Sequence, residues 1–339
     1  MTEPVFLLAM GRSGSTLLQR LLASHSQIAA VGETWLLLPH LSSLRANGAY
    51  AEYGHASAVR AIEDFSANLP GGMNGYLAEL REFVTRLYAK AAPNHRYFLD
   101  KSPPYSLIAP EVLRVFPQSK AIFLWRNPLA VAASNIETWG NPGKWNLYGQ
   151  HLQRSLAQLV EAYVDNEEHV CSIRYEDLVE SPRYELGRLL AYLGLEMEEG
   201  LLERLETIRF QGGHIGDPRG TVLYKYVTDE PLDKWKRTMC NYLRKRWCKR
   251  YLSWIGRERL HVMGYELGGL LSELHEVPTR PGYLLSDALR MTYGAVWRAL
   301  EENVIRKGGE RRWLLDGWAH RRKLRRAALS HIDGTVRAD

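Results

Sequence analysis

Residues 4–22, PVFLLAMGRSGSTLLQRLL, decide the fold class of this 339-residue chain. Residues 5–10 form a short apolar run between Pro4 and Gly11, which is typical of a buried parallel strand. The leucines that follow the turn GRSGST recur at helical spacing. The first unit is therefore predicted to be a strand, a glycine-rich turn and a helix.

The turn at residues 11–16 is predicted to bind an anion. The first N–H groups of the following helix lack intrahelical acceptors, and the helix dipole favours negative charge there. The glycines allow the tight turn, and the turn's side chains add a cation and hydroxyl donors. The candidate ligand-binding residues are Arg12, Ser13, Gly14, Ser15 and Thr16. An ordinary glycine turn between strand and helix is the alternative.

A nucleoside-triphosphate loop of the form GxxxxGK[ST] is the obvious rival. When Gly14 is aligned with the second glycine of that motif, Ser15 stands where the lysine is needed. Ala9 stands where the first glycine is needed. The turn is better suited to one 5′-phosphate that carries a second anionic group.

Further strands and helices alternate along the chain. Strands are predicted at residues 97–99, 121–125 and 170–175, and helices at 110–116, 151–164 and 184–193. This alternation predicts an α/β fold with a P-loop-like parallel sheet flanked by helices. Residues 1–265 would form that domain, with helices and loops of 41–95 inserted near the ligand cleft. Residues 266–339 would form a basic, helical C-terminal extension.

Polar side chains follow or end four predicted strands: Arg12, Lys101, Arg126 and Tyr175. Ligands of open α/β sheets bind outside the carboxyl ends of the strands, so we expect these side chains to share one edge. Asn127 and Pro128 are predicted to begin a helix as N-cap and first helical residue. Arg126 with Ser134, eight residues later, would form a second anion site. Taken separately, Arg126 is also explained as a surface ion-pair partner, and Ser134 as a small packing residue.

Composition narrows the remaining classes. The formal net charge is +6, which suits an anionic ligand or surface as well as a solvated basic face. The three cysteines do not form a disulfide framework or a metal-ligand cluster, so no metal site is expected. The N-terminus has no basic leader, and the chain has no apolar run of spanning length. We expect a soluble cytoplasmic protein.

Three stretches carry a family resemblance: GRSGSTLLQRLLASHSQ at 11–27, WRNPLAVAASNI at 125–136 and IRYEDLVESPRYELGRLLAYLGL at 173–195. The first resembles the 5′-phosphosulfate loop of sulfotransferases that use 3′-phosphoadenosine-5′-phosphosulfate (PAPS). The second resembles their 3′-phosphate segment, with Arg126 and Ser134 in the matching places. The third resembles the RYEDL stretch of that superfamily. The resemblance covers roughly residues 4–265.

The sequence looks most like tyrosylprotein sulfotransferases and related bacterial enzymes. These share a GE segment, here Val31-Gly32-Glu33-Thr34, and a lysine before a proline-containing loop, here Asp100-Lys101-Ser102-Pro103. The animal enzymes carry a membrane anchor and paired cysteines that are not found here, and their GEE is GET in this chain. The resemblance therefore supports the chemistry better than a tyrosine acceptor.

The resemblance implies a mechanism without a metal. Glu33 would be the general base that takes the proton from an acceptor hydroxyl. Lys101 and Arg12 would stabilise charge on the leaving oxygen and the transferred group. The alternatives are that Glu33 caps the segment at residues 34–36, and that Lys101 forms a surface ion pair with Asp100. His25 is the runner-up base, although it is better explained as a cation at the end of the first helix.

Three further residues are candidates for cofactor binding: Tyr175, Lys225 and Lys234. Tyr175 would touch the nucleotide. The stretches Tyr224-Lys225-Tyr226 and Asp233-Lys234-Trp235 resemble the late loop that closes over the 3′-phosphate in this family. A generic basic loop is the alternative.

Two basic segments follow. Residues 234–250 hold eight Lys/Arg and no Asp/Glu, and residues 306–326 hold nine Lys/Arg beside tryptophans and leucines. A basic amphipathic helix there would contact an anionic membrane surface or an acidic partner, or would pack on the core with a solvated face. Nucleic-acid binding is not expected because no recognition motif accompanies the charge.

The sequence thus predicts an enzyme that transfers a sulfuryl group from PAPS to a hydroxyl and leaves 3′,5′-adenosine bisphosphate. The acceptor is a small molecule, a glycan, a lipid or a peptide tyrosine. A P-loop nucleotide kinase and a non-catalytic protein that binds nucleotide or anionic glycan are the alternatives.

Overall fold

The computed structural model describes residues 2–45, 53–139, 150–208, 210, 227–228 and 230–306. Five parallel strands form one sheet in the order β2-β3-β1-β4-β5. The strands are β1 (Glu3–Ala9), β2 (Ile28–Ala30), β3 (Tyr97–Asp100), β4 (Lys120–Trp125) and β5 (Cys171–Arg174). The predicted parallel α/β sheet is confirmed.

Helices connect the strands and continue beyond the sheet. Those between strands are α1 (Ser15–Leu22), α2 (Leu37–Ser42), α3 (His55–Ser66), α4 (Gly72–Ala91), α5 (Ala109–Val115), α6 (Pro128–Trp139) and α7 (Ser155–Val164). After β5 follow α8 (Tyr175–Glu180), α9 (Pro182–Leu193), α10 (Glu230–Thr238), α11 (Tyr242–Val262), α12 (Leu267–Glu276) and α13 (Leu284–Arg306). Short 3₁₀ turns cover Pro103–Leu107 and Glu203–Glu206, and a π turn covers Gln150–Arg154.

Both faces of the sheet are buried, because helices cover each of them. Along β1, Phe6 and Leu8 enter one apolar cluster while Val5 and Leu7 enter the other. Alternate residues of a strand point to opposite faces, so a continuous apolar run fits a strand buried on both sides. This is why the run at residues 5–10 forms the central strand.

The order of the strands places the site. β1 pairs with β3 on one side and with β4 on the other. The chain runs from β1 to β2 and β3 on one side and then crosses β1 to reach β4 and β5 on the other, so the strand order reverses at β1. A crevice opens at the carboxyl ends of strands where the order reverses in this way. The turns after β1, β3 and β4 meet at that point.

Helices also form the described C-terminal region. Leu270 and Leu274 of α12 belong to the same apolar cluster as the helices on one face of the sheet. On α13, Asp287 is buried and accepts hydrogen bonds from Arg244 and Asn241 of the α11 region. The division at residue 265 stays a prediction. None of the helices in the described ranges is long and apolar enough to cross a membrane.

Candidate active site

The turn after β1 is shaped around Gly14. Its φ of 91° lies in the left-handed region that favours glycine, and a Cβ at this position would lie 2.3 Å from Cδ2 of Tyr175. Ser13 is buried, and its hydroxyl donates to the carbonyl of Met10 at 2.6 Å. The Ser13 hydroxyl therefore closes the turn, whereas it was predicted to face a ligand.

The N-terminus of α1 opens directly from this turn. Gly14 is the N-cap and offers no side chain, and the N–H groups of Leu17 and Leu18 donate to its carbonyl. The N–H groups of Ser15 and Thr16, ahead of these, have no acceptor within the helix. No acidic residue lies in the first turn of α1. This end of the helix keeps the positive end of its dipole for an anion.

The two predicted anion-binding segments contact each other. Arg12 Nε donates to Ser134 Oγ on α6 at 3.1 Å, across 122 residues of sequence. Arg126 Nη1 donates to the carbonyl of Arg12 at 3.0 Å. Both guanidinium groups and the Ser134 hydroxyl therefore lie together where β1 and β4 end. Arg12 and Arg126 thus lie at the shared edge, as the strand pattern predicts, and Ser134 of the second predicted anion site contacts Arg12.

Arg126 holds an uncompensated charge within the described part of the chain. Its partners among the described residues are neutral: the carbonyls of Arg12 and Pro231, and the ring of Tyr175 at 4.3 Å from Cζ. The residue is 9% exposed, and its Nε is buried without a hydrogen-bond partner. Buried donors are nearly always satisfied in proteins, so an orphaned guanidinium N–H is a feature that a bound anion would explain.

The ring of Tyr175 packs against both segments. The residue is 1% exposed, and its ring packs between Gly14 and the Arg126 guanidinium. It begins α8, whereas the sequence placed it at the end of a strand. A direct nucleotide contact stays a prediction, while the observed contacts make Tyr175 a spacer between the two anion-binding segments.

Glu176, which was not predicted as a site residue, fixes the start of α6. Glu176 Oε1 accepts the N–H of Asn127 at 3.0 Å, and its Oε2 accepts the hydroxyl of Tyr265 at 2.6 Å. Asn127 Oδ1 accepts the N–H of Leu129, so the predicted N-cap is observed with Pro128 as first helical residue. The RYEDL stretch carries Glu176, but nothing in it indicates a partner 49 residues earlier.

Glu33 and Lys101 form a buried ion pair. Lys101 Nζ lies 2.8 Å from Glu33 Oε1, and the two side chains are 3% and 8% exposed. Glu33 Oε2 accepts the indole N–H of Trp35 at 2.9 Å. Lys101 thus pairs with Glu33, not with Asp100, and the N–H of Leu36 is capped by Thr34, not by Glu33. Both alternatives weighed from the sequence are absent from the observed contacts.

The pair borders the phosphate-loop candidate. A Cβ added to Gly11 would lie 3.9 Å from Cβ of Pro103, two residues after Lys101. The α1 side chain Gln19 donates to the carbonyl of Val31 at 2.9 Å and so ties the segment before Glu33 to the same helix. The turn after β1 therefore lies next to the segment that carries Lys101, and helix α1 contacts the segment that carries Glu33.

Asp100 lies beneath the pair and was not expected as a site residue. Its carboxylate is buried and accepts hydrogen bonds from four hydroxyls, on Thr34, Tyr88, Ser102 and Tyr105. Desolvation raises the pKa of Asp100, and the hydroxyl donors oppose that rise because they favour the carboxylate. No sequence signal identifies it, since an acidic residue at a strand end has many uses.

Other predicted residues lie apart from this cluster or outside the described residues. Lys234 forms an ion pair with Glu137 on α6 at 3.3 Å. His25 contacts the carbonyl of Glu196 and accepts the N–H of Gln27, so these hydrogen bonds, both within the described residues, involve no residue of the site. Lys225 and residues 307–326 lie outside the described residues, as does any contact they make. Their roles, including membrane or acidic-partner contact, stay predictions.

Within the described ranges, no cluster of three or more histidine, cysteine, aspartate or glutamate side chains is arranged to hold a metal ion.

Comparison with known proteins agrees with this geometry. The sequence model of the Sulfotransferase family matches residues 4–199. The nodulation protein NoeE of Sinorhizobium fredii is 30% identical over 68% of this chain and 59% of its own length. Protein-tyrosine sulfotransferase 2 of Gallus gallus is 24% identical over 68% of this chain and 62% of its own length. The chain thus spans less than two thirds of the length of either relative.

Among solved structures, the sulfotransferase domain from the curacin biosynthetic pathway is similar to this chain. The two share 26% sequence identity and superpose with a TM-score of 0.52. The match covers 75% of this chain and 97% of that domain. With a family model that spans more than half of its residues, the chain belongs to the sulfotransferase family.

Proposed function

We propose that this protein transfers a sulfuryl group from PAPS to a hydroxyl of an acceptor and releases 3′,5′-adenosine bisphosphate. The observation that carries the proposal is the contact between Arg12 and Ser134, with Arg126 bound to the Arg12 carbonyl. It joins two anion-binding segments at the crevice of the sheet, as a ligand with separate 5′ and 3′ anionic groups requires.

The residues present fit that ligand. The open N-terminus of α1 and the side chains of Arg12, Ser15 and Thr16 would hold the 5′ group. Arg126 and Ser134 would hold the 3′-phosphate, and the unsatisfied Nε of Arg126 supports this assignment. Lys225 and Lys234 are proposed as further contacts. When bound, PAPS supplies the sulfuryl group that is transferred.

Glu33 is proposed as the general base. Lys101 and Trp35 each donate one hydrogen bond to a different carboxylate oxygen, so each oxygen keeps a lone pair that can accept a proton. These two donors also fix the plane of the carboxylate. The acceptor hydroxyl would lose its proton to Glu33 as it reacts.

Lys101 is proposed to stabilise negative charge on the departing oxygen. Its ammonium has three N–H donors, and the hydrogen bond to Glu33 uses one of them. Because the side chain is buried, this charge acts with little screening by water. Arg12 is proposed to share this role from the other side of the transferred group.

The acceptor is proposed only as a hydroxyl compound: a small molecule, a glycan, a lipid or a peptide tyrosine. The relative from Gallus gallus is named for protein tyrosine, which keeps a peptide among the candidates. A nucleotide kinase is disfavoured because Ser15 stands where its loop needs lysine. A non-catalytic binding protein would have no use for the Glu33–Lys101 pair.

Calorimetry tests the proposal most directly. Purified protein is titrated with 3′,5′-adenosine bisphosphate, with ADP, and with ATP and magnesium. We expect tight, magnesium-independent binding of the bisphosphate and much weaker binding of the other two. A preference for ATP would contradict the proposal and would favour a nucleotide kinase instead. Transfer from labelled PAPS to a panel of phenols, sugars and tyrosine peptides then separates an enzyme from a binding protein.

A further inference from the structure

The segment that carries Glu33 is held against the buried carboxylate of Asp100 in an unusual way. Three successive backbone N–H groups at the start of α2 each donate to a hydroxyl. The pairs are Trp35 to Ser102 (3.1 Å), Leu36 to Thr34 (3.2 Å) and Leu37 to Tyr105 (2.9 Å). Each of these hydroxyls in turn donates to Asp100, at 3.1, 2.8 and 3.0 Å respectively.

This arrangement is a threefold relay from N–H through hydroxyl to carboxylate. The N–H groups at a helix start carry partial positive charge, so a nearby carboxylate interacts favourably with them. Each hydroxyl is polarised on both sides, which strengthens both of its hydrogen bonds. The relays therefore attach residues 35–37 to the segment that follows β3.

The backbone of Trp35 is strained in this arrangement. Its φ is 51°, in the left-handed region, although it is not glycine. Such a conformation persists only where its surroundings hold it. The surroundings here are the Ser102 hydroxyl on its N–H and the Glu33 carboxylate on its indole. The strained residue thus contacts both a hydroxyl of the relay and the carboxylate of the proposed base.

We propose that Asp100 is a positioning residue which, through Ser102, Thr34 and Tyr105, sets the orientation of the Glu33 carboxylate against Lys101. Glu33 directly precedes Thr34, whose hydroxyl belongs to the relay, and Lys101 directly follows Asp100. The buried carboxylate thus fixes both chain segments that carry the pair. The inference rests on the proposed function, because it assigns Glu33 the role of base.

Two tyrosines provide a matched test. Tyr105 and Tyr88 are both buried and both donate to Asp100 Oδ2, but only Tyr105 accepts an N–H from the start of α2. We expect Tyr105→Phe to lower kcat by about 10- to 100-fold, as small misplacement of a reacting group does. Tyr88→Phe should change kcat by less than about threefold on the same reasoning. Affinity for 3′,5′-adenosine bisphosphate should be kept in both variants.

Hydrogen exchange of the peptide that covers residues 33–37 gives a readout independent of transfer. We expect faster exchange in Tyr105→Phe and wild-type exchange in Tyr88→Phe. Equal loss of kcat in both variants, or unchanged exchange and kcat in Tyr105→Phe, would overturn the inference. If Tyr105→Phe does not fold, Ser102→Ala opens one relay and is judged by the same criteria. If wild-type protein transfers no sulfuryl group, the proposed function fails, and exchange still decides whether the relay exists.

Discussion

The two halves of the site treat positive charge differently. On the arginine side, formed by Arg12, Arg126 and Ser134, the Arg126 guanidinium contacts carbonyls and an aromatic ring within the described residues, and one N–H is unsatisfied. On the lysine side, formed by Glu33, Lys101 and Asp100, the Lys101 ammonium is neutralised by a carboxylate at 2.8 Å. Both halves lie at the same edge of one sheet.

The difference follows from what each half is proposed to do. A site for a phosphate needs charge that the protein has not already neutralised, because the ligand brings its own. A base that accepts a proton must keep a fixed orientation next to its cation, and a buried lysine needs a counter-charge in the absence of ligand. Arg126 therefore keeps a hydrogen-bond donor for a ligand, whereas the charge of Lys101 is already balanced by Glu33.

The largest effect should come from the lysine side. We expect Glu33→Gln to slow transfer by about 10²-fold or more, on the usual scale for a general base. Bisphosphate affinity should not change, because the arginine side remains intact. Single-turnover transfer and calorimetry measure the two quantities.

Glu111→Gln is the matched control, since Glu111 is another partly buried glutamate that pairs with a cation, Arg45, away from the pair with Lys101. Its transfer rate should stay close to that of the wild type. Unchanged transfer in Glu33→Gln would remove Glu33 as base and end the contrast between the two halves.

An intermediate effect is expected on the arginine side. Arg126→Ala should weaken binding of 3′,5′-adenosine bisphosphate by about 10- to 150-fold, which corresponds to the 1.5–3 kcal/mol of a hydrogen bond to a charged group. ADP, which lacks the 3′-phosphate, should bind nearly as before. Titration calorimetry with both nucleotides measures the difference.

Arg96→Ala controls for loss of an arginine that lies on a tyrosine ring. Arg96 contacts the Tyr97 ring and a carbonyl, but it precedes β3 at the opposite edge of the sheet. We expect no change in affinity for either nucleotide. Equal losses for bisphosphate and ADP in Arg126→Ala would contradict the 3′-phosphate assignment.

The last effect is on stability and not on activity, and it concerns the spacing between the two predicted anion-binding segments. Gly14→Ala should lower the free energy of unfolding by about 1–3 kcal/mol through its positive φ, and further because the new Cβ would meet the Tyr175 ring. Gly194→Ala shares the left-handed conformation, with φ 67° and ψ 37°, but its Cβ would lie 3.7 Å from the flexible Arg96 side chain and not against a ring. Chemical denaturation of both variants isolates the contribution of the ring. Equal destabilisation would mean that Tyr175 does not act as a spacer.

The sequence by itself determined the local parts of the site. The strand, glycine turn and helix at residues 4–22 follow from burial pattern and backbone freedom within a few residues. The cap at Asn127 and the proline after it are also local signals, and the structure has them where they were predicted. Arg12 and Arg126 were expected at one edge because parallel strands end there. Ser134 was grouped with Arg126 by its helical spacing, and its contact with Arg12 was not expected.

Only the tertiary structure decided which distant groups meet. Glu33 and Lys101 are 68 residues apart, and they pair because β2 lies beside β3, an order that periodicity does not specify. The same pairing brings Thr34 to Asp100, where Ser102 and Tyr105 also donate. The neighbouring positions of β1, β4 and β5 place Tyr175 against Gly14 and Arg126. Burial then turns these contacts into strong constraints, since polar groups without water must satisfy one another.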